Sequence, residues 1–202
     1  ATNGVDYSGS DGTLDFVAGE VAQTFTITTH DDNLDEDNET VFLKLINPVE
    51  GVLGVPDNAA LTLIDDDATP VVSFSTANYS VAEDGITAVL DVDLSAASGK
   101  TIIVPFEVNG STATLGQDFV LGDVDHLTFL PGDTNERFII QIIDDQISEG
   151  DETIVVNLGE PDNVIMGENT SVTVTIKDND ASGVEFDLSL IHISEPTRLH
   201  CI

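Results

Sequence analysis

The chain has almost no basic residues. Five Lys and Arg stand against 38 Asp and Glu, for a formal charge of −33 over 202 residues. A surface this acidic repels nucleic acid and anionic membranes and attracts cations. Cysteine is limited to Cys201, which excludes an internal disulfide framework and cysteine-based zinc sites. There is no Trp, and aromatics make up 5%. No apolar run approaches the ~18 residues needed to span a bilayer, so no direct membrane insertion is expected of this segment. Helical periodicity is nearly absent, and no Ser-His-Asp order, metal-hydrolase histidine pair or phosphate loop occurs. These absences argue against an enzyme.

What is present is period-two alternation. Phe25, Ile27 and Thr29 alternate with threonines; Leu90, Val92 and Leu94 alternate with Asp91 and Asp93; Ile154, Val156 and Leu158 form another inward set, and Val172, Val174 and Ile176 a fourth. Such alternation marks half-buried strands. Turn signals at Gly85, Ser98-Gly99, Asn109-Gly110, Pro131-Gly132 and Gly150 separate them. Short strands at this spacing predict an antiparallel β-sandwich, with Pro105 in Thr101–Asn109 expected at an edge or a bulge.

The chain also repeats itself. "FTITTHDDNLDEDNETVFLKLINP" from Phe25 to Pro48 matches "FIIQIIDDQISEGDETIVVNLGEP" from Phe138 to Pro161, about 113 positions on. "ATNGVDY" (Ala1–Tyr7) falls on "ATLGQDF" (Ala113–Phe119), and each copy closes on an acidic triplet, Asp65-Asp66-Asp67 or Asp178-Asn179-Asp180. Residues 70–180 read as one complete copy of about seven strands, and residues 1–67 as the second half of another, without its opening strands. Residues 181–188 read as the start of a third copy ("GVEF" on "VVSF"), which implies a segment of a longer tandem array. Residues 189–202 abandon the pattern; "LIHISEPTR" reads as a translated sequencing adapter, and this tail is expected to be non-native. Phe16, Phe25, Phe129 and Phe138 recur at matching positions and are expected in the core. Gly19 and Gly132 recur before polar turns and are expected at positive φ. His30 and His126 do not correspond between copies, which leaves them as surface histidines.

The acids recur at strand ends and in loops that should meet at one pole. In the complete copy these are Glu83, Asp118, Asp144, Asp145, Glu149, Glu152, Asp178 and Asp180, with Asn179 and the Ile147 carbonyl as neutral donors. Two like charges ~4 Å apart repel by about 4 kcal/mol at an effective dielectric of ~20. A cluster this dense must take up protons or bind cations. Six to eight oxygen ligands, many of them carboxylates, are the preference of Ca2+. A merely acidic surface would scatter its carboxylates over outward strand positions, as at Asp91 and Asp93. An EF-hand is excluded: Asp31, Asn33 and Asp35 begin like one, but Glu36 stands where Gly is required and Phe42 at position twelve.

"GxDF/Y", "LTFLPGD", "IIDDQISEGDE" and the closing "DND" or "DDD" together resemble Calx-beta domains, the calcium-binding repeats of exchanger regulatory loops, an integrin and bacterial surface proteins. The resemblance covers residues 1–187 and implies an all-β fold of tandem immunoglobulin-like antiparallel sandwiches, with calcium at the distal loops. Carried over by position, it implies ligands at Glu83, Asp118, Asp144, Asp145, the Ile147 carbonyl, Glu149, Glu152, Asp178 and Asp180. In the partial copy the set is Asp6, Asp31, Asp32, the Leu34 carbonyl, Glu36, Glu39, Asp65, Asp66 and Asp67, with no counterpart of Glu83. Asn179 replaces the charge of Asp66 and should weaken or delete one ion.

The expected function is a calcium-binding structural or adhesive module of a secreted or surface tandem-repeat protein. Its expected partners are calcium ions, neighbouring repeats and a protein or cell-surface ligand, with no nucleic acid. The alternatives are a calcium-sensing regulatory domain of a membrane transporter and a cadherin-like adhesion repeat.

Overall fold

The computed structural model describes residues 1–9 and 11–181, so the third-copy start beyond Ala181 and the tail at 189–202 lie outside the described residues. Residues 1–67 contribute four strands: β1 (Tyr7–Ser8), β2 (Thr28–Thr29), β3 (Glu39–Lys44) and β4 (Asn58–Leu63). The second repeat contributes ten: β5 (Val71–Phe74), β6 (Asn78–Ala82), β7 (Thr87–Leu94), β8 (Ile102–Val108), β9 (Phe119–Leu121), β10 (His126–Phe129), β11 (Asn135–Ile142), β12 (Glu152–Leu158), β13 (Ile165–Met166) and β14 (Ser171–Lys177). They form two five-stranded sheets in the orders β10-β8-β12-β14-β6 and β13-β5-β7-β11-β9.

Three of the four inward sets read from the sequence form the core between these sheets, whereas Phe25, Ile27 and Thr29 stay outside it, with only Thr28–Thr29 pairing as a strand. Ala88, Leu90, Val92 and Leu94 of β7 and Phe138, Ile140 and Ile142 of β11 face Ile154, Val156 and Leu158 of β12 and Val172, Val174 and Ile176 of β14. Burying one such side chain is worth about 1.5–3 kcal/mol, so the alternation alone drives the two faces together. Phe106 and Phe138 pack with ring centroids 4.3 Å apart and planes tilted by 57°.

Two details depart from a purely antiparallel sandwich. The opening segment is split: β5 pairs with β7 in one sheet, while β6 crosses to the other and runs parallel to β14. β13 also runs parallel to β5. Pro105 lies on β8, which has neighbours on both sides, and sits where pairing passes from β10 (Ile102–Pro105) to β12 (Phe106–Val108). A residue without an N–H is tolerated at such a changeover as it is at an edge.

The parallel pairing positions the acidic residues. Lys177 lies opposite Ala82, so the chain leaving β14 toward Asp178 emerges beside Glu83. Ile142 lies opposite Phe119, and Glu152 opposite Ile176, which brings Asp118, the loop after β11 and the start of β12 to the same pole.

The first repeat reuses these pairings without the facing layer. Tyr7 pairs Thr29 as Phe119 pairs Ile142, and Glu39 pairs Leu63 as Glu152 pairs Ile176. β1-β2 and β3-β4 each remain two-stranded. Val41 is the single buried hydrophobic side chain among the described residues of 1–67. The expectation of a shared phenylalanine core fails here: Phe16 and Phe25 are each 56% exposed, whereas Phe129 and Phe138 are 0% and 2% exposed. The strands that would cover them have no counterpart in residues 1–67. Gly19 and Gly132 do adopt positive φ, at 93° and 92°.

Candidate metal centre

In the second repeat the acids separate into two groups of three. Glu83, Asp145 and Asp180 each offer an oxygen within 4.8 Å of the others, as do Asp118, Glu149 and Glu152. Glu83 stands in a one-turn 3-10 segment, Glu83–Gly85, and is 8% exposed. Asp118 ends a tight turn in which its carboxylate accepts the Thr114 N–H at 2.5 Å and its own N–H donates to the Thr114 carbonyl at 3.0 Å. Asp145 accepts the Ile147 N–H at 2.6 Å, a local bond that shapes the loop after β11. Asp178 accepts the Gly150 N–H at 3.1 Å and the Asp180 N–H at 3.0 Å, folding the linker back over that loop. A small cavity lined by Glu83, Asp118, Glu149, Glu152 and Asp178 sets Glu83 of the first triad beside the second.

The electrostatics are those of a cluster short of cations. Burial, then the charge of Asp180, raises the Glu83 carboxyl above its ordinary value. Burial, then a hydrogen bond shared with Asp118, raises Glu152. Glu149 and Asp180 are raised by desolvation and then by neighbouring carboxylates. Asp178 is lowered by the N–H groups it accepts. The Asp180 Oδ2 is buried without any hydrogen-bond partner. A buried acceptor left unpaired is costly, and a cation between Glu83, Asp145 and Asp180 would satisfy it. The donor sets contain oxygen only, which suits a hard cation such as Ca2+ or Mg2+ over zinc or copper.

The remaining sequence candidates sit at the rim of these triads. Asp144 accepts the Asn179 amide at 3.4 Å. Ile147 takes part through its backbone N–H. In the first repeat, Asp6, Glu36 and Glu39 form a triad at the positions of Asp118, Glu149 and Glu152. Asp6 accepts the Thr2 N–H as Asp118 accepts that of Thr114. Asp32 accepts the Leu34 N–H at 2.8 Å, the counterpart of the Asp145–Ile147 bond. Burial, then Asp32, Asp6, Glu39 and Asp65, raises Glu36; desolvation, then Asp65, Asp66, Asp31 and Asp32, raises Asp67. His30 belongs to neither triad: its ring nitrogens bond the Val5 carbonyl at 2.8 Å and the Ser8 hydroxyl at 3.2 Å, tying β1 to β2.

Sequence reasoning passed over two sets of supporting residues. Ser148 and Gly150 hold Asp178, and only the non-acidic positions within the loop hinted at that. Asp35, Ser98 and Lys100 join the two repeats. Ser98-Gly99 read as a turn and Asp35 as one more loop acid, and Lys100, as one of only five basic residues, was a signal left unused.

A β-sandwich repeat preceded by the matching half of another, with carboxylate triads at the same places in both, defines a class of cation-binding repeats. The family model for the Calx-beta domain matches residues 1–67 and 65–180, and the chain belongs to that family. The sodium/calcium exchanger Calx of Drosophila melanogaster is 32% identical over 163 residues, covering 80% of this chain and 17% of the exchanger. Extracellular matrix protein 3 of Lytechinus variegatus is 30% identical over 215 residues, covering all of this chain and 7% of that protein. The crystal structure of the calcium binding domain CBD12 of CALX1.1 matches with a TM-score of 0.51 at 32% identity, over 55% of this chain and 47% of that one. The chain thus spans a small part of each of these full-length relatives. Among the described residues no helix is long and apolar enough to cross a membrane.

Proposed function

We propose that the second-repeat pole binds Ca2+, and that the segment is a calcium-stiffened structural repeat of a larger secreted or surface tandem protein. The observation that carries the reading is the pairing of two oxygen-only triads with the buried, unpartnered Asp180 Oδ2. Glu83, Asp145 and Asp180 would hold one ion, and Asp118, Glu149 and Glu152 another, with Asp178 between them. A bound cation supplies the positive charge that this pole lacks; the protein's part is to hold the carboxylates together through β-pairing. Asn179 donates to Asp144 where the first repeat has Asp66, which supports a reduced ion count in the second repeat. Similarity to an extracellular matrix protein along the whole chain supports the structural reading. The pole is read as a binding site and not as a catalytic one.

A second reading, a calcium-sensing regulatory segment of a membrane transporter, is favoured by the likeness to the Drosophila exchanger and to the CBD12 structure. Calorimetric titration of the full chain with calcium separates the two. Affinity near 10⁻⁴–10⁻³ M fits an extracellular module, and affinity near 10⁻⁷–10⁻⁵ M fits a sensor. Asp145→Ala should remove most of the binding heat assigned to the second repeat. An unchanged titration in that variant contradicts the ligand assignment.

A further inference from the structure

One acid in the first repeat's loop behaves unlike its neighbours. Asp35 is 4% exposed and belongs to none of the triads. Its Oδ2 accepts from the Lys100 Nζ at 3.2 Å and the Ser98 hydroxyl at 3.3 Å, and its Oδ1 accepts from the Thr69 hydroxyl at 3.2 Å. Its backbone carbonyl accepts the Gly99 N–H at 3.1 Å and, at 2.9 Å, shares with Oδ2 the one Ser98 hydroxyl proton. Ser98 is itself 1% exposed. The fit is close: a Cβ on Gly99 would lie 2.5 Å from Glu36 Oε1 and 2.7 Å from Glu36 Cγ. Lys100 also reaches Asp37 at 3.5 Å, but that carboxylate is 92% exposed, and exposed pairs contribute little.

The repeat comparison shows that the loop itself does not require this acid. Ser148 stands at the position of Asp35 in the second repeat, and it bonds Asp178 within its own repeat. Asp35 instead has both carboxylate oxygens engaged across the joint or by the linker, with a lysine supplying the positive charge.

We propose that Asp35 and the Ser98–Gly99–Lys100 turn form a metal-independent latch that docks the second repeat onto the acidic loop of the first. The latch fixes one side of the joint by ion pairing and hydrogen bonding, leaving the triplet Asp65-Asp66-Asp67 and the triad of Asp6, Glu36 and Glu39 available to calcium. In calcium-free conditions the two repeats therefore keep a preferred orientation.

The test places spin labels at outward strand positions, Phe42→Cys in the first repeat and Ile139→Cys in the second, with Cys201→Ser so that no other thiol reacts. Distances are measured on the full chain in chelator, which makes the outcome independent of the calcium reading. The expected result is a narrow distance distribution that broadens with Lys100→Ala and equally with Asp35→Ser, and that Asp37→Asn leaves narrow. Because the two key substitutions lie in different repeats, a folding defect in one repeat leaves the other variant informative. A broad distribution before any latch substitution overturns the proposal, as does one that stays narrow in both variants.

Discussion

Glu83, Glu149, Glu152 and Asp180 all have raised carboxyl values in the folded chain, and Asp178 a lowered one. A group raised on folding holds its proton in the native state after the unfolded chain has lost it. Stability then falls as pH rises from the ordinary carboxylate value up through the raised one. Asp178 acts in the opposite sense, with its stabilisation lost as pH falls through its lowered value, but the raised groups outnumber it. In chelator, the melting temperature of the full chain should therefore rise as pH is lowered from neutrality down through these raised values toward the ordinary carboxylate value. With saturating calcium the trend should reverse, because protons then compete with the ion for the same oxygens. Melting curves across that range, with and without calcium, check both signs. The acid pattern was legible in the sequence because two copies placed Asp and Glu at matching positions. Its division into triads was not legible, since that depends on which loops the parallel β6–β14 pairing brings together.

At the scale of the element, matching glycines need not do matching work. Gly54 and Gly167 follow "VL" and "IM" at the same place in the two repeats. A Cβ on Gly167 would lie 2.8 Å from the Val72 carbonyl oxygen on β5, whereas one on Gly54 would meet nothing within 4 Å. Backbone cannot yield as a flexible side chain can. Gly167→Ala should cost about 1–3 kcal/mol by overpacking, while Gly54→Ala should stay within about 0.5 kcal/mol of neutral. Chemical denaturation of each variant separates them. Phe25 and Phe138 make the same point: the sequence pattern is identical in kind, but Phe138 lies in β11 with a sheet facing it, whereas Phe25 lies outside β2 and is exposed. Local alternation thus revealed the strands and the core of the second repeat, whereas of the pattern over Phe25–Thr29 only Thr28–Thr29 pairs as a strand. The split of the opening segment into β5 and β6 was not visible either, because a strand that changes sheets keeps the same period.

The whole molecule combines two sources of order of different chemistry. Pairing of apolar faces builds the second sandwich, and the β-registers then deliver carboxylates to one pole at a density that water alone does not compensate. A ligand that binds the native pole and not the unfolded chain stabilises it in proportion to the logarithm of its concentration over Kd. Calcium would thus link joint stiffness to its own concentration, while Asp35 and Lys100 add a fixed ion pair between the repeats. Long-range contacts of that kind were out of reach of the repeat pattern, since Asp35 falls on Ser148 and residues 98–100 have no counterpart within residues 1–67.

The most direct measurement is thermal unfolding of the full chain in chelator, in magnesium and in calcium at equal ionic strength. Calcium is expected to raise the melting temperature by a large margin that magnesium, which demands a smaller and stricter octahedral shell, does not reproduce. Identical curves in all three would contradict it, reducing the acidic pole to a solvated surface.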